Sequence, residues 1–217
     1  MSTKFRALIV GVGALILGFG LALPANAQVI NGDNTSENLV GTPNDDQAYG
    51  HAGADTITLL AGNDYAEGGV GNDFILGRRD NDTLHGNLGK DTLTGNDGFD
   101  CLAGEEDADT LRGGRDFDCL FGGSSGDALF GGSGGDTLVL GPGADSANGG
   151  TQDDVIYVGV DGKADYIDGG DGHDTVVTVN GSIDPLDTFV NVESFENGDL
   201  PKGCSTAPPA ETNTFIK

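Results

Sequence analysis

Aspartate recurs every nine residues through the middle of this 217-residue chain, at Asp46, Asp55, Asp64, Asp73, Asp82, Asp91, Asp100, Asp109, Asp118, Asp127, Asp136, Asp145 and Asp154, without a miss. Solvated acids scattered on turns would not keep such a phase. A carboxylate in strict register with glycine offers carboxylate and main-chain carbonyl oxygens, hard donors that suit a hard divalent cation rather than zinc or copper. Other chemistry is poorly supplied. His51, His85 and His173 stand at three different places relative to the aspartates, so nothing brings them together. Residues 122–126 and 131–135 both fit Gly-x-Ser-x-Gly. A nucleophile elbow of that form needs a strand, a sharp turn and a helix, and no segment of helical period follows.

The elements that hold these carboxylates follow from their neighbours. Two residues after each Asp stands Leu, Ile or Ala, from Ala48 and Ile57 to Ala147 and Ile156, and five residues before it stands Gly, except at Leu59 and Leu140. GGVGNDFIL, Gly68 to Leu76, is the cleanest copy, and the units beginning at Gly131 and Gly169 follow it closely. These units resemble the RTX, or haemolysin-type, calcium-binding nonapeptide, over roughly Gly32 to Val177.

The resemblance implies an all-β fold, a right-handed parallel β-roll (β-solenoid) in which two nonapeptides make one coil. Each unit contributes a six-residue loop and a three-residue strand, and Ca²⁺ lies between stacked loops. It makes metal ligands of the thirteen aspartates above and of Asp165 and Asp174, which continue the series after a two-residue insertion. One edge of the roll would carry Asp46 and every second Asp after it, the other Asp55 and its successors, giving eleven inter-loop sites over the unbroken array. Glycines at the first, second and fourth positions would free the loop for positive φ. In the strand triplet, period-two alternation turns only the middle residue inward. The core is therefore one row of apolar residues from each side, thin enough to need multiple calcium ions as staples.

Composition agrees. With 35 acidic residues against 10 basic ones and a formal charge of −25, the chain has no cationic track for nucleic acid. The N-terminus places Lys4 and Arg6 before an apolar run from Ala7 to Leu23, then Pro24 and Ala25-Asn26-Ala27, the pattern of a cleaved secretory signal over 1–27. Cleavage would leave a secreted, extracellular chain from Gln28 with no membrane-spanning segment. Residues 28–40 read as a degenerate capping repeat, with Glu37 in place of Asp and Leu39 inward. The roll proper spans 41–157, and 158–197 hold the final repeats and a C-terminal cap built on Phe189, Val192 and Phe195. Residues 198–217, with Pro201, Pro208 and Pro209, read as a flexible tail.

Irregular loops carry Asp80, Asp107 or Asp116 at the fourth position, and several lack the second Gly. Bulk there works against the loop shape and predicts weaker or empty sites, unless the extra carboxylate joins the shell. Cys101 and Cys119 lie one coil apart beside the inward row, which predicts an outward-facing disulfide between adjacent strands. Cys204 is left over, free or joining two chains. The reading is a secreted, non-enzymatic, calcium-binding roll. Two others stay open: a surface-recognition module, adhesin or ice-binding-like, on the Thr56, Thr58, Thr92, Thr94 and Thr110 array, and a detached repeat domain of an RTX enzyme. Phe121, Val139 and Tyr157, eighteen apart, form an outward apolar ladder for a partner or for the C-terminal cap.

Overall fold

A triplet with one central apolar residue has a single small face to bury, and the nine-residue period returns the chain to the same place every second unit. The computed structural model describes residues 27–179 and 181–201 and resolves this into two sheets whose strands all pair in parallel. Residues 1–26, which hold all but the last residue of the expected signal, and Cys204 with most of the expected tail lie outside the described residues.

The ten-stranded sheet holds β1 (Val29–Asn31), β3 (Gln47–Ala52), β5 (Tyr65–Val70), β7 (Thr83–Leu88), β9 (Cys101–Glu106), β11 (Cys119–Gly123), β13 (Thr137–Val139), β15 (Val155–Val158), β17 (Thr175–Val179) and β19 (Ser194–Gly198). The nine-stranded sheet holds β2 (Asn38–Val40), β4 (Thr56–Thr58), β6 (Phe74–Arg79), β8 (Thr92–Asp97), β10 (Thr110–Arg115), β12 (Ala128–Ser133), β14 (Ser146–Thr151), β16 (Tyr166–Asp171) and β18 (Thr188–Val190). Neighbours pair one coil apart, Leu93 beside Leu111 and Leu102 beside Leu120. The chain is an all-β parallel β-roll of about nine turns.

The inward rows form the expected core. Ala48, Ala66, Leu84, Leu102, Leu120, Leu138, Ile156 and Val176 face Leu39, Ile57, Ile75, Leu93, Leu111, Leu129, Ala147 and Ile167 in one buried cluster. Leu59 and Leu140, which replace the first Gly, and Val158 also turn into this core. These are departures from the glycine pattern that add apolar volume.

Several strands exceed the three residues expected. In β3 and β5 the register runs on past the triplet, pairing His51 with Gly69 and Ala52 with Val70. Loops that stack coil on coil continue the parallel ladder around the bend, which satisfies main-chain groups a free loop would leave to water. The C-terminal segment is likewise further coil: Thr188 pairs with Tyr166 and Ser194 with Thr175. Phe189 and Val192 pack on the core, while Phe195 is exposed at the end of the stack. The insertion after Asp154 leaves the core continuous, since Ile156, Val158 and Ile167 on either side of it all belong to the buried cluster.

The cysteine expectation requires correction. Cys119 and Cys101 are register partners on β11 and β9, as the spacing predicts, yet Cys119 carries a free thiol, so the bond between them is not formed. In-register parallel neighbours are displaced by about 4.8 Å with their Cα–Cβ vectors parallel, whereas a disulfide needs Cβ atoms roughly 3.5–4.5 Å apart and turned toward each other. Burial, then the nearby Asp118 and Asp136, push the Cys119 thiol up to about 11.

Candidate metal centre

Each phased aspartate stands between its loop and its strand, where the chain turns into the core, and all fifteen candidate ligands from Asp46 to Asp174 are buried. The two edges form two ladders. The main-chain N–H of Asp46 donates to Oδ1 of Asp64 at 2.6 Å, that of Asp64 to Asp82 at 2.9 Å, and that of Asp82 to Asp100 at 2.8 Å. On the other edge Asp55 donates to Asp73 at 2.7 Å, Asp73 to Asp91 at 2.7 Å and Asp91 to Asp109 at 2.7 Å. The series continue through Asp118, Asp136, Asp154 and Asp174 and through Asp127, Asp145 and Asp165. One carboxylate oxygen of each Asp is thus spent on holding the coil before it.

The other oxygen is not. Oδ2 of Asp55, Asp64, Asp73, Asp82, Asp91, Asp100, Asp109, Asp118, Asp127, Asp136, Asp145, Asp154 and Asp174 is buried without a hydrogen-bond partner. Asp46 differs because its Oδ2 accepts from the N–H and hydroxyl of Thr42. An unpartnered buried carboxylate is costly, and without a counter-charge it takes up a proton instead. Burial accordingly pushes Asp118 up to about 9 against the lowering effect of the Asp100 N–H, with Asp100, Asp136 and Asp116 adding repulsion. Asp64 rises to about 8, Asp100, Asp109, Asp145 and Asp154 to about 7, and Asp91 to about 6, burial being the first cause in each.

Where the first loop position is glycine, it explains what the free oxygen faces. A Cβ on Gly50 would sit 2.7 Å from Oδ2 of Asp55 and 2.3 Å from the carbonyl oxygen of Gly68 in the next coil. At Gly104 the same two neighbours are Asp109 Oδ2 at 2.3 Å and the Gly122 carbonyl at 2.5 Å; at Gly149 they are Asp154 Oδ2 at 2.2 Å and the Gly169 carbonyl at 2.4 Å. A carboxylate oxygen and a carbonyl oxygen from adjacent coils therefore converge on one point beside the backbone. First-position glycine is required for this space and not for φ, since the positive-φ glycines lie at other loop positions such as Gly69 and Gly71.

The irregular loops keep their shape. Arg78, Asn87, Asn96 and Glu105 at the second position, and Asp80, Asp107, Asp116, Ser125 and Gln152 at the fourth, all hold the left-handed backbone that glycine would adopt. The stacked coils over-determine that conformation, at about 1–3 kcal/mol each.

Among the described residues no three His, Cys, Asp or Glu side chains gather into a metal group. A cation here would draw one carboxylate oxygen per loop and complete its shell from main-chain carbonyls. Hard oxygen donors, no imidazole and a charge deficit at every rung fit calcium. The histidines do not share a site: His85 Nδ1 lies 2.8 Å from Glu105 Oε1 on the outer face of β7, and the His173 N–H donates to Asp153.

Sequence reasoning missed one rung. Asp187 extends the second ladder, its Oδ1 accepting the Asp165 N–H at 3.1 Å and its Oδ2 buried without a partner. It falls outside the nine-residue count because 22 residues separate it from Asp165. Its signal was local: Asp187-Thr188-Phe189-Val190 repeats the Asp-x-apolar-x unit. Glu193 closes the first ladder, accepting the Asp174 N–H at 2.8 Å.

No curated protein matches the chain. The family described as the RTX calcium-binding nonapeptide repeat (4 copies) matches residues 31–66, 67–102, 103–138, 130–162, 139–176 and 160–182. These matches cover most of the chain and coincide with the stacked coils and their aspartate ladders, so the protein belongs to the RTX calcium-binding nonapeptide repeat family.

Proposed function

We propose that the mature chain from Gln28 is an exported, non-enzymatic calcium-binding roll whose folding is driven by Ca²⁺ held between stacked loops at Asp46 through Asp174. The observation that carries this reading is the run of buried, unpartnered Oδ2 atoms facing main-chain carbonyls of the next coil. A core one residue thick and a mature charge of −27, from eight basic residues against thirty-five acids, oppose folding of the metal-free chain. Export is supported by the three-part pattern of residues 1–27. The non-enzymatic reading is supported by the occupation of the phased carboxylates in scaffold bonds. On this reading 28–40 and 158–197 are the two ends of the roll about a central 41–157 body.

The recognition reading finds less support. Thr56, Thr92 and Thr110 stack on β4, β8 and β10, but Phe74 and Leu76 on β6 break the array. Calcium stoichiometry and far-UV circular dichroism of the mature protein, with and without chelator, test the proposal. About eleven ions from the unbroken Asp46–Asp154 array, with loss of β signal on chelation, is the expected result. An unchanged β signal after exhaustive chelation would overturn it.

A further inference from the structure

Away from the aspartate ladders, the register of three neighbouring strands opens a gap on the ten-stranded sheet. β3, β5 and β7 align Tyr49, Glu67 and His85 in one row, and His51, Gly69 and Asn87 in the row two residues on. Gly69 carries no side chain, so His51 and Asn87, two strand steps or about 9.6 Å apart, flank a bare rung. A cavity of about 240 Å³ lies there, with Tyr49 and Glu67 on its strand side and Val70 and Leu88 on its loop side. His51 and Asn87 both hold the left-handed backbone that Gly69 adopts without strain. Strained backbone of this kind clusters at sites that bind.

The walls are aromatic and acidic. The Tyr49 ring lies 6.5 Å from that of His51 at an interplanar angle of 25°, and 6.0 Å from that of Tyr65 at 52°. The Tyr65 hydroxyl donates to Oε1 of Glu67 and so fixes that carboxylate beside Tyr49. Burial first, and then the Glu67 charge, raise the Tyr49 hydroxyl above its ordinary value, so the negative field of the carboxylate reaches the ring. No Lys or Arg lines the cavity. Its rim is apolar and open, with Val70 53% and Leu88 41% exposed.

We propose that this cavity binds a methylated ammonium group, held by Tyr49 and His51 through their ring faces and by Glu67 through its charge. Aromatic faces beside a carboxylate attract a cation. A metal ion is poorly served, since among the described residues no three His, Cys, Asp or Glu side chains gather to ligate one. The apolar rim of Val70 and Leu88 favours a cation that presents methyl groups over one that keeps a hydration shell. The volume falls below the roughly 300–1,000 Å³ of sites for larger ligands, which suits a headgroup and not an oligosaccharide. None of these side chains belongs to the aspartate ladders, so the site goes beyond the calcium reading and does not rest on it.

The test titrates choline chloride into the full mature chain, loaded with calcium, at pH 8, above the ordinary histidine value so that His51 adds no charge. Calorimetry should give saturable binding at one site, and ammonium chloride should bind about fivefold or more weakly. Tyr49→Leu and Glu67→Gln should each weaken choline about fivefold, while Tyr49→Phe, which keeps the ring face, should stay within about twofold of the parent. Calcium content and β signal should match the parent in all three, which separates loss of the cavity from loss of the roll. Phosphatidylcholine vesicles distinguish the sources: sedimentation with them, reversed by free choline, assigns the group to a lipid, and choline binding without sedimentation assigns it to a free methylated amine. No choline binding up to about 10 mM, equal affinity for ammonium, or full affinity in Tyr49→Leu overturns the proposal.

Discussion

Asp91 and Asp109 are joined across one coil by a 2.7 Å hydrogen bond from the main-chain N–H of Asp91 to Oδ1 of Asp109, while Oδ2 of Asp109 is left buried and unpartnered. The two oxygens of one carboxylate thus differ: one aligns the coils, and the other is the one we propose for the cation. Substitutions that separate these two tasks test the assignment directly.

Asp91→Asn keeps an oxygen for the Asp73 N–H but removes the charge and the free carboxylate oxygen. It should lose about one bound Ca²⁺ and move the folding midpoint to higher calcium. Asp91→Ala also strands the buried Asp73 N–H, adding a cost of about 1–3 kcal/mol. Calcium titration followed by circular dichroism checks both, and full stoichiometry in either variant would refute the ligand role.

Leu93→Ala, two residues on, leaves every ligand in place but empties part of a core that is one residue thick. Leu93 is fully buried, and the cost should be about 2–5 kcal/mol. Urea unfolding at saturating calcium measures it, and the stoichiometry should match the parent protein.

Glycine-to-alanine changes should separate crowded from open loops. At Gly71, φ is +149° and a Cβ would lie 1.5 Å from the Gly53 carbonyl oxygen, so Gly71→Ala should cost at least about 3 kcal/mol. At Gly162, φ is +78° with nothing within 4 Å, and Gly162→Ala should cost only about 1–2 kcal/mol of backbone strain. Comparable denaturation midpoints for the two variants would contradict the stacking.

In chelator, the ladder aspartates have folded pKa values raised from 3.8 to about 6 for Asp91 and about 9 for Asp118. The folded state then binds more protons than the unfolded one, so stability is present below about pH 4 and is lost as pH rises through 6–9. Metal-free protein should therefore gain β signal on acidification toward pH 4. With calcium the sign reverses, because the metal needs the ionised carboxylates, and apparent calcium affinity should fall as pH drops through the same range. Circular dichroism across pH with and without calcium reads both slopes.

The repeat phase, the inward rows and the two aspartate edges were legible in the sequence. A period of nine with two units per coil converts directly into register, so Leu93 must lie between Ile75 of the coil before it and Leu111 of the coil after it. Periodicity is a local property, and translation along a roll carries it into three dimensions unchanged. What it could not state is how atoms from different coils divide a shared space. The split between Oδ1 and Oδ2, the need for a bare Cα at Gly50 and Gly104, and the ladder running on past the strand triplets arise from contacts eighteen residues apart. Asp187 was hidden because an insertion broke the count while the local Asp-x-apolar unit survived. Cys119 stayed free beside Cys101 because equal height on adjacent strands sets distance but leaves the two Cβ vectors parallel. The inequality of the two outer faces belongs wholly to the tertiary structure: the alternation in both sheets is the same, yet Phe74 is 42% exposed on one sheet and Tyr65 1% on the other.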